Sequence, residues 1–196
     1  MKAIETQRIE PITCTTKNKP HLTALSRKTL SGPIKKAISM VDDSCSILDY
    51  GSGKGSDVEL LNKQGFNAQG FDPYYQDSMP PGSFDLVFCS FVLNVIEDLP
   101  TSRLSVVKDA LSRVAIGGRY FIAVRTDKEI AYCSKGKWTP HLDGFISRQF
   151  KDGSYMFQKG FNKDELTELV KQTGLNVTTK AAGSGSFIFI TGTRLA

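Results

Sequence analysis

A doubly wound α/β sheet is the fold class this sequence predicts, because short apolar runs alternate along it with segments whose apolar residues recur every three or four positions. Two further observations agree. The first apolar run, Ser46 to Tyr50, ends directly in a glycine-rich turn, and Gly or Pro marks most later junctions. A chain of 196 residues has room for one domain and one full core. We divide it into a basic arm and helix over residues 1–44 and a main domain over 45–196.

The elements follow in order. Gly32-Pro33 ahead of IKKAISMV predicts a short helix with Pro33 at its first position, where a missing N–H costs nothing. Residues 46–50 (SILDY) are a buried strand. From Ser56 a helix carries Val58, Leu60 and Leu61 and stops at Gly65 in a left-handed cap. Phe66 to Phe71 is the second strand. Asp85 to Phe91 is the third, dense in apolar residues as a parallel strand covered on both faces should be. Pro100 opens a helix whose Leu104, Val107, Leu111 and Val114 face the sheet. Gly117-Gly118 ends it before a strand from Arg119 to Val124. Residues 126–160 are less periodic and long enough to be a functional lid. Asn162, with Glu165 three residues on, caps a helix to about Gln172. Asn176 to Thr179 and Phe187 to Thr191 are the last two strands.

In such a sheet the ligand lies beyond the carboxyl ends of the strands, which puts Asp49-Tyr50-Gly51-Ser52-Gly53-Lys54-Gly55 at the site. Alternate glycines let the backbone turn sharply and approach a ligand where the next helix presents free N–H groups. A phosphate-cradling GxxxxGK[ST] loop is absent: Gly53-Lys54 is followed by Gly55, and Leu48 stands where the first Gly would be. A dinucleotide GxGxxG is strained, since the third Gly comes one residue early. S-adenosylmethionine, which is cationic and carries no phosphate, suits the acids nearby. Asp49 can face its ammonium directly or through water, and Asp72, closing the second strand, can accept both ribose hydroxyls or simply form a turn before Pro73.

On these residues the sequence resembles the class I S-adenosylmethionine-dependent methyltransferases over about residues 45–196. The phrases TALSRKTLSGPIKKA, ILDYGSGKGSDVELL, GFDPYY, VLNVIED, DGFISRQ and MFQKGFNKDEL are similar to those of the methyltransferase family associated with DNA phosphorothioation gene clusters. The resemblance implies a Rossmann-like class I sheet with its last strand antiparallel, methyl transfer from S-adenosylmethionine, and a link to DNA modification or defence. One departure is visible. Only twelve residues separate Asp72 from Asp85, too few for the helix, edge strand and helix of the usual architecture, so that edge strand is missing or vestigial and about six strands remain. Residues 73–84 then cross as a loop over the cofactor, where Asp77 can replace the lost adenine-facing acid. Tyr74 and Tyr75 stack on the adenine or pack the loop.

The cofactor set is therefore Arg27, Asp49, Tyr50, Gly51, Ser52, Gly53, Asp72, Pro73, Tyr74, Ser90, Phe91 and Val92. Arg27, folded over the cofactor, would meet the methionine carboxylate, or it lies on a helix surface. Methyl transfer rests on alignment, because the cofactor carries the reactivity. The acceptor-side residues are Asn94, which hydrogen-bonds the acceptor or caps a helix, and Asp143, Gln158 and Lys159, which fall in the family-like phrases. Glu97 and Asp98 are read as surface charges of a turn. Ser90-Phe91-Val92-Leu93 replaces the Asn/Asp-Pro-Pro-Tyr/Phe motif of amino-group methyltransferases of nucleic acids, and no Pro-Cys pair offers a cytosine-C5 nucleophile.

Composition narrows the rest. With 40% hydrophobic and 23% charged residues the chain is neither disordered nor fibrous. Its longest near-apolar run, Phe84 to Ile96, is interrupted and short for a bilayer, and the N-terminus lacks a signal peptide's apolar stretch, so we expect a cytoplasmic protein without a membrane partner. Cys14, Cys45, Cys89 and Cys133 are scattered, with only His21 and His141 to join them, which argues against structural zinc or disulfides; no metal is expected. Residues 1–40 hold eight Lys/Arg against Glu5 and Glu10, leaving the other 156 residues at −1. That arm contacts nucleic acid or is simply solvated, and the same choice holds for residues 126–160, where six basic residues interleave with aromatics. A small-molecule acceptor is the other partner weighed. The rival functions are an accessory subunit that binds S-adenosylmethionine without catalysis and an NAD-dependent oxidoreductase.

Overall fold

The computed structural model describes residues 17–97 and 101–196. Lys2, Arg8, Cys14, Asp98 and Pro100 lie outside that range. The elements run α1 (Gly32–Ile38), β1 (Ser46–Tyr50), α2 (Ser56–Lys63), β2 (Asn67–Phe71), β3 (Phe84–Ser90), α3 (Ser102–Ser112), β4 (Val114–Arg125), α4 (Asp127–Ser134), β5 (Thr139–His141), β6 (Gly144–Gln149), β7 (Tyr155–Gln158), α5 (Lys163–Lys171), β8 (Lys180–Ser184) and β9 (Phe187–Thr193). Six strands form one sheet in the order β2-β1-β3-β4-β9-β8, and β5-β6-β7 form a separate antiparallel meander. Strands β1 to β4 are parallel, while β9 is antiparallel to both β4 and β8.

Adjacent residues of the central strands feed opposite cores, which is why these strands read as continuous apolar runs. Ile47, Leu86, Phe88 and Phe121 join Ile34 and Leu61 on the α1 and α2 side. Leu48, Val87, Cys89 and Ile122 join Leu111, Leu166 and Val170 on the α3 and α5 side. No helix among the described residues is long and apolar enough to cross a membrane.

The missing edge strand leaves β2 at the border of the sheet, with Asp72 to Gln76 closing a tight turn in place of further structure. The edge is guarded. The Asn62 amide of α2 donates to Ala68 O (3.0 Å) and accepts from Ala68 N (2.8 Å), so a side chain occupies the backbone groups a neighbouring strand would seek. Asn62→Leu should therefore make the protein associate as concentration rises, which sedimentation would detect; a strictly monodisperse variant would remove this role.

Four expectations differ from the fold. Gly117 and Gly118 do not stop a helix. α3 ends at Ser112, and the pair sits in an irregularity of β4, with Gly117 at φ 80 and a Cβ at Gly118 pressed to 3.0–3.1 Å from the carbonyls of Ala115, Phe84 and Asp85. The buried face of α3 is Arg103, Val106, Val107, Ala110 and Leu111, with Leu104 only half-buried, because Arg103 is drawn inward to Ile96 O. The penultimate strand forms at Lys180–Ser184 and not at 176–179. Thr178 N–H still donates to Thr193 O, but Thr178 O presses on Gly192 where a Cβ would collide, and a continuous ladder starts only beyond it. Residues 126–160 contain α4 and the meander. Thr126 accepts from Glu129 N–H, an N-terminal cap whose Thr-x-x-Glu spacing was legible in the sequence.

Candidate active site

The turn after β1 is held open by its glycines. Gly51, Gly53 and Gly55 take φ of 87, 54 and 74, a left-handed region that other residues enter only with strain. Gly51 and Ser52 N–H both donate to Phe71 O, at 2.7 and 2.9 Å, which pins the turn to the end of β2. A Cβ on Gly51 would run into Val92, and one on Gly53 would press on Ala24.

Asp49, the penultimate residue of β1, is 4% exposed. Among the described residues no donor reaches its carboxylate. Burial raises its pKa well above the ordinary carboxylate range, and the neighbouring charges of Asp57 and Asp72 push the same way. An uncompensated acid of this kind is a site for a cation. The hydroxyls of Ser52 and Ser90 are likewise buried with no partner among the described residues. Asp72 is partly committed: one oxygen accepts Gly53 N–H (3.0 Å) and the other accepts Tyr74 and Tyr75 N–H (2.9 and 3.1 Å). It both builds the turn and keeps some acceptor capacity. Pro73 lies within that turn. Tyr50 contributes no side chain, since its ring packs in the core and its hydroxyl donates to Asp109. Phe91, just past β3, sits at φ 63, a strained value for a bulky residue and common where function demands it.

A strap of residues 17–31 crosses this end of the sheet. Asn18 pairs with Tyr155 at the meander's edge and donates to Val95 O. His21 stacks on Tyr74 with ring centroids 3.6 Å apart, and Tyr75 OH donates to His21 O. Burial and Lys19 lower the His21 pKa against the opposing pull of Asp72, favouring the neutral ring in that stack. Arg27 N–H donates to Ser56 Oγ, and its Nε lies 4.0 Å from Asp57.

Beside the glycine turn, towards β3 and β4, lies a cavity of about 260 Å³. Its walls are Thr23, Leu25 and Arg27 of the strap, Phe91, Asn94 and Val95 after β3, Arg125 ending β4, Gln158 ending β7, and Ser186 between β8 and β9. Arg27, Phe91, Asn94 and Gln158, all named from the sequence, are thus brought together at one cavity. Thr23, Leu25, Val95, Arg125 and Ser186 were missed, because no local motif marks the rim of a cavity formed by five separate segments.

Asn94 is fully buried, and its amide is committed. It donates to Lys159 O (2.6 Å) and Arg125 O (3.3 Å) and accepts Arg125 N–H (3.0 Å), stitching β4 to the end of β7. It is not a helix cap. Asp143 and Lys159 stand apart from the cavity in an ionic cluster: Arg103 forks onto Asp143, and Lys159 reaches Asp143 and Glu165 at 3.6 and 2.7 Å. Burial raises the Asp143 pKa, but Arg103 and Lys159 outweigh it and hold the group below the usual range. Glu97 is not a surface charge; it is buried, with Tyr155 OH donating to it at 2.6 Å and His141 Nε2 at 3.0 Å.

A doubly wound sheet with an acid and hydroxyls that lack partners among the described residues, set beside a glycine turn, is an arrangement that can hold a cationic, hydroxyl-bearing cofactor. The family model for the methyltransferase domain matches residues 17–180, and the chain belongs to that family. Solved structures share the fold. An S-adenosylmethionine-dependent methyltransferase from Methanosarcina mazei superposes with TM-score 0.60 at 16% identity, over 85% of this chain and 98% of that one. The 1,6-didemethyltoxoflavin-N1-methyltransferase of Burkholderia thailandensis, with 1,6-didemethyltoxoflavin and S-adenosylhomocysteine bound, gives 0.58 at 13% identity over 83% and 76%. One from Mesorhizobium loti gives 0.54 at 12% identity over 82% and 96%. A search of curated proteins finds no match to this sequence.

Proposed function

We propose that this methyltransferase moves a methyl group from S-adenosylmethionine to a small acceptor held in the cavity beside the glycine turn. The observation that carries the reading is the buried Asp49 carboxylate, which no group among the described residues neutralises, at the end of β1. The cofactor supplies an electrophilic methyl on a sulfonium. Asp49 faces its ammonium, Asp72 accepts from the ribose hydroxyls, and Ser52 and Ser90 offer hydroxyls that have no partner among the described residues. Arg27 meets the methionine carboxylate. The strap and the Tyr74–Tyr75 turn exclude water, and Phe91 and Val92 border the path between donor and acceptor. Alignment of acceptor, methyl and sulfur is then the main contribution of the protein.

Titration calorimetry with S-adenosylmethionine and with NAD tests the cofactor, and NAD binding alone would overturn the reading. Arg27→Met should weaken S-adenosylmethionine binding about tenfold, the scale of one hydrogen bond to a charged group. Incubation with radiolabelled S-adenosylmethionine and fractionated metabolites, DNA, RNA and protein then identifies the acceptor; tight binding with no label transferred would mark an accessory subunit.

A second reading, action in a DNA-modification setting, is favoured by basic side chains beside aromatic rings around α4 and the meander, with Tyr132 exposed and Phe150 half-buried. Lys135 lies over the ring of the exposed Tyr132, at 5.8 Å, and Arg148 over Phe150, at 5.0 Å. Such pairs suit base stacking with phosphate contact. Binding to single-stranded DNA that falls steeply with salt would support it, and a flat response or no binding would dismiss it.

A further inference from the structure

The two charged side chains that line the cavity, Arg27 and Arg125, are both cationic, although each is paired behind the wall, Arg27 with Asp57 and Arg125 with Glu129. No Asp or Glu among the described residues lines the cavity. Arg27 belongs to the cofactor side by its contacts with Ser56 and Asp57 at the start of α2. Arg125 belongs to the other side, at the end of β4.

Arg125 is held in place without being used up. Its Nη2 donates to Glu129 (3.2 Å) and Cys133 Sγ (3.2 Å), and its Nη1 to Gln158 Oε1 (3.3 Å). A guanidinium has further N–H donors beyond these. Gln158 adds a second observation. It is 8% exposed, and because its oxygen is turned to Arg125 its amide NH2 has no acceptor among the described residues. Two sets of uncommitted donors therefore converge on one wall of a small cavity. Leu25, Phe91 and Val95 supply apolar surface on the others. A planar fork of donors beside an amide is a receptor for an oxyanion.

We propose that the methyl acceptor is a small, partly apolar molecule carrying an anionic group, a carboxylate or a phosphate, and that Arg125 and Gln158 bind that group and so determine specificity. This rests on the methyl-transfer reading above. The anion, anchored between β4 and β7, leaves the apolar body of the acceptor against Phe91 and Val95, on the side facing the donor.

The probes are benzoate, phenyl phosphate and neutral benzyl alcohol, titrated calorimetrically in low-chloride buffer with and without saturating S-adenosylhomocysteine. At least one of the two anions should bind with S-adenosylhomocysteine present, the better of them naming the group, and benzyl alcohol should bind roughly tenfold more weakly or not at all. Arg125→Met should lose that preference while S-adenosylhomocysteine still binds, and Arg125→Lys should recover part of it. Gln158→Leu, which leaves the guanidinium in place, should weaken the anion alone. Equal binding of neutral and anionic probes, no anion binding at all, or an undiminished preference in both Arg125→Met and Gln158→Leu would overturn the proposal. Failure of S-adenosylhomocysteine itself to bind would instead strike the methyl-transfer reading.

Discussion

Asp49→Asn is expected to stabilise the ligand-free protein and at the same time to weaken S-adenosylmethionine binding by roughly 1.5–3 kcal/mol, about ten- to a hundredfold. The opposite signs share one cause. Burial makes the Asp49 charge costly to hold, so its pKa in the fold lies above the value in the unfolded chain. Between those two values the native chain keeps a proton that the unfolded chain has lost. Stability therefore falls as pH rises from the ordinary carboxylate range to the raised value, and the penalty is constant above it. The Asn variant lacks this contribution. Melting temperatures of both proteins across that range should differ most at its upper end. A bound cation favours the ionised acid, so affinity of the parent should climb with pH over the same range while that of the variant stays flat. A variant less stable than the parent at every pH, with unchanged affinity, would show that Asp49 is an ordinary core residue.

Asn94→Ala is expected to cost about 2–4 kcal/mol of stability, since it strips partners from the carbonyls of Lys159 and Arg125 and from Arg125 N–H in a buried setting. For a chain of this size that lowers the melting temperature by roughly 5–15 °C. The cavity wall should loosen with it, because Asn94 is what ties Arg125 to the strand that carries Gln158. If Asn94 instead bonded the methyl acceptor, the substitution would leave thermal stability intact and abolish turnover. Thermal denaturation alongside the labelled-donor assay separates the two.

Much of this was legible in the residues. The strands at 46–50 and 187–191, the cap at Asn162 and the glycine turn each depend on neighbours within a few positions, and local chemistry governs them. The count of residues between Asp72 and Asp85 was enough to remove one strand from the usual order, because chain length bounds what can be built. The acids at Asp49 and Asp72 could be picked out because Asp49 lies one residue from the end of its strand and Asp72 directly follows one.

Other features depend on distant contacts. Asn94 reads as a cap or an acceptor ligand, yet its carboxamide is consumed by backbone 31 and 65 residues away. Glu97 looks like a surface charge until Tyr155 and His141 close over it. Arg125 ends a strand with no motif around it, and only the arrival of Gln158, Phe91 and the strap makes it the wall of a cavity. Local periodicity and chain length were enough to settle the sheet, its missing edge and the position of the glycine turn. The tertiary structure alone decided which polar groups remain unpartnered, because that depends on how segments far apart in the chain satisfy one another's hydrogen bonds.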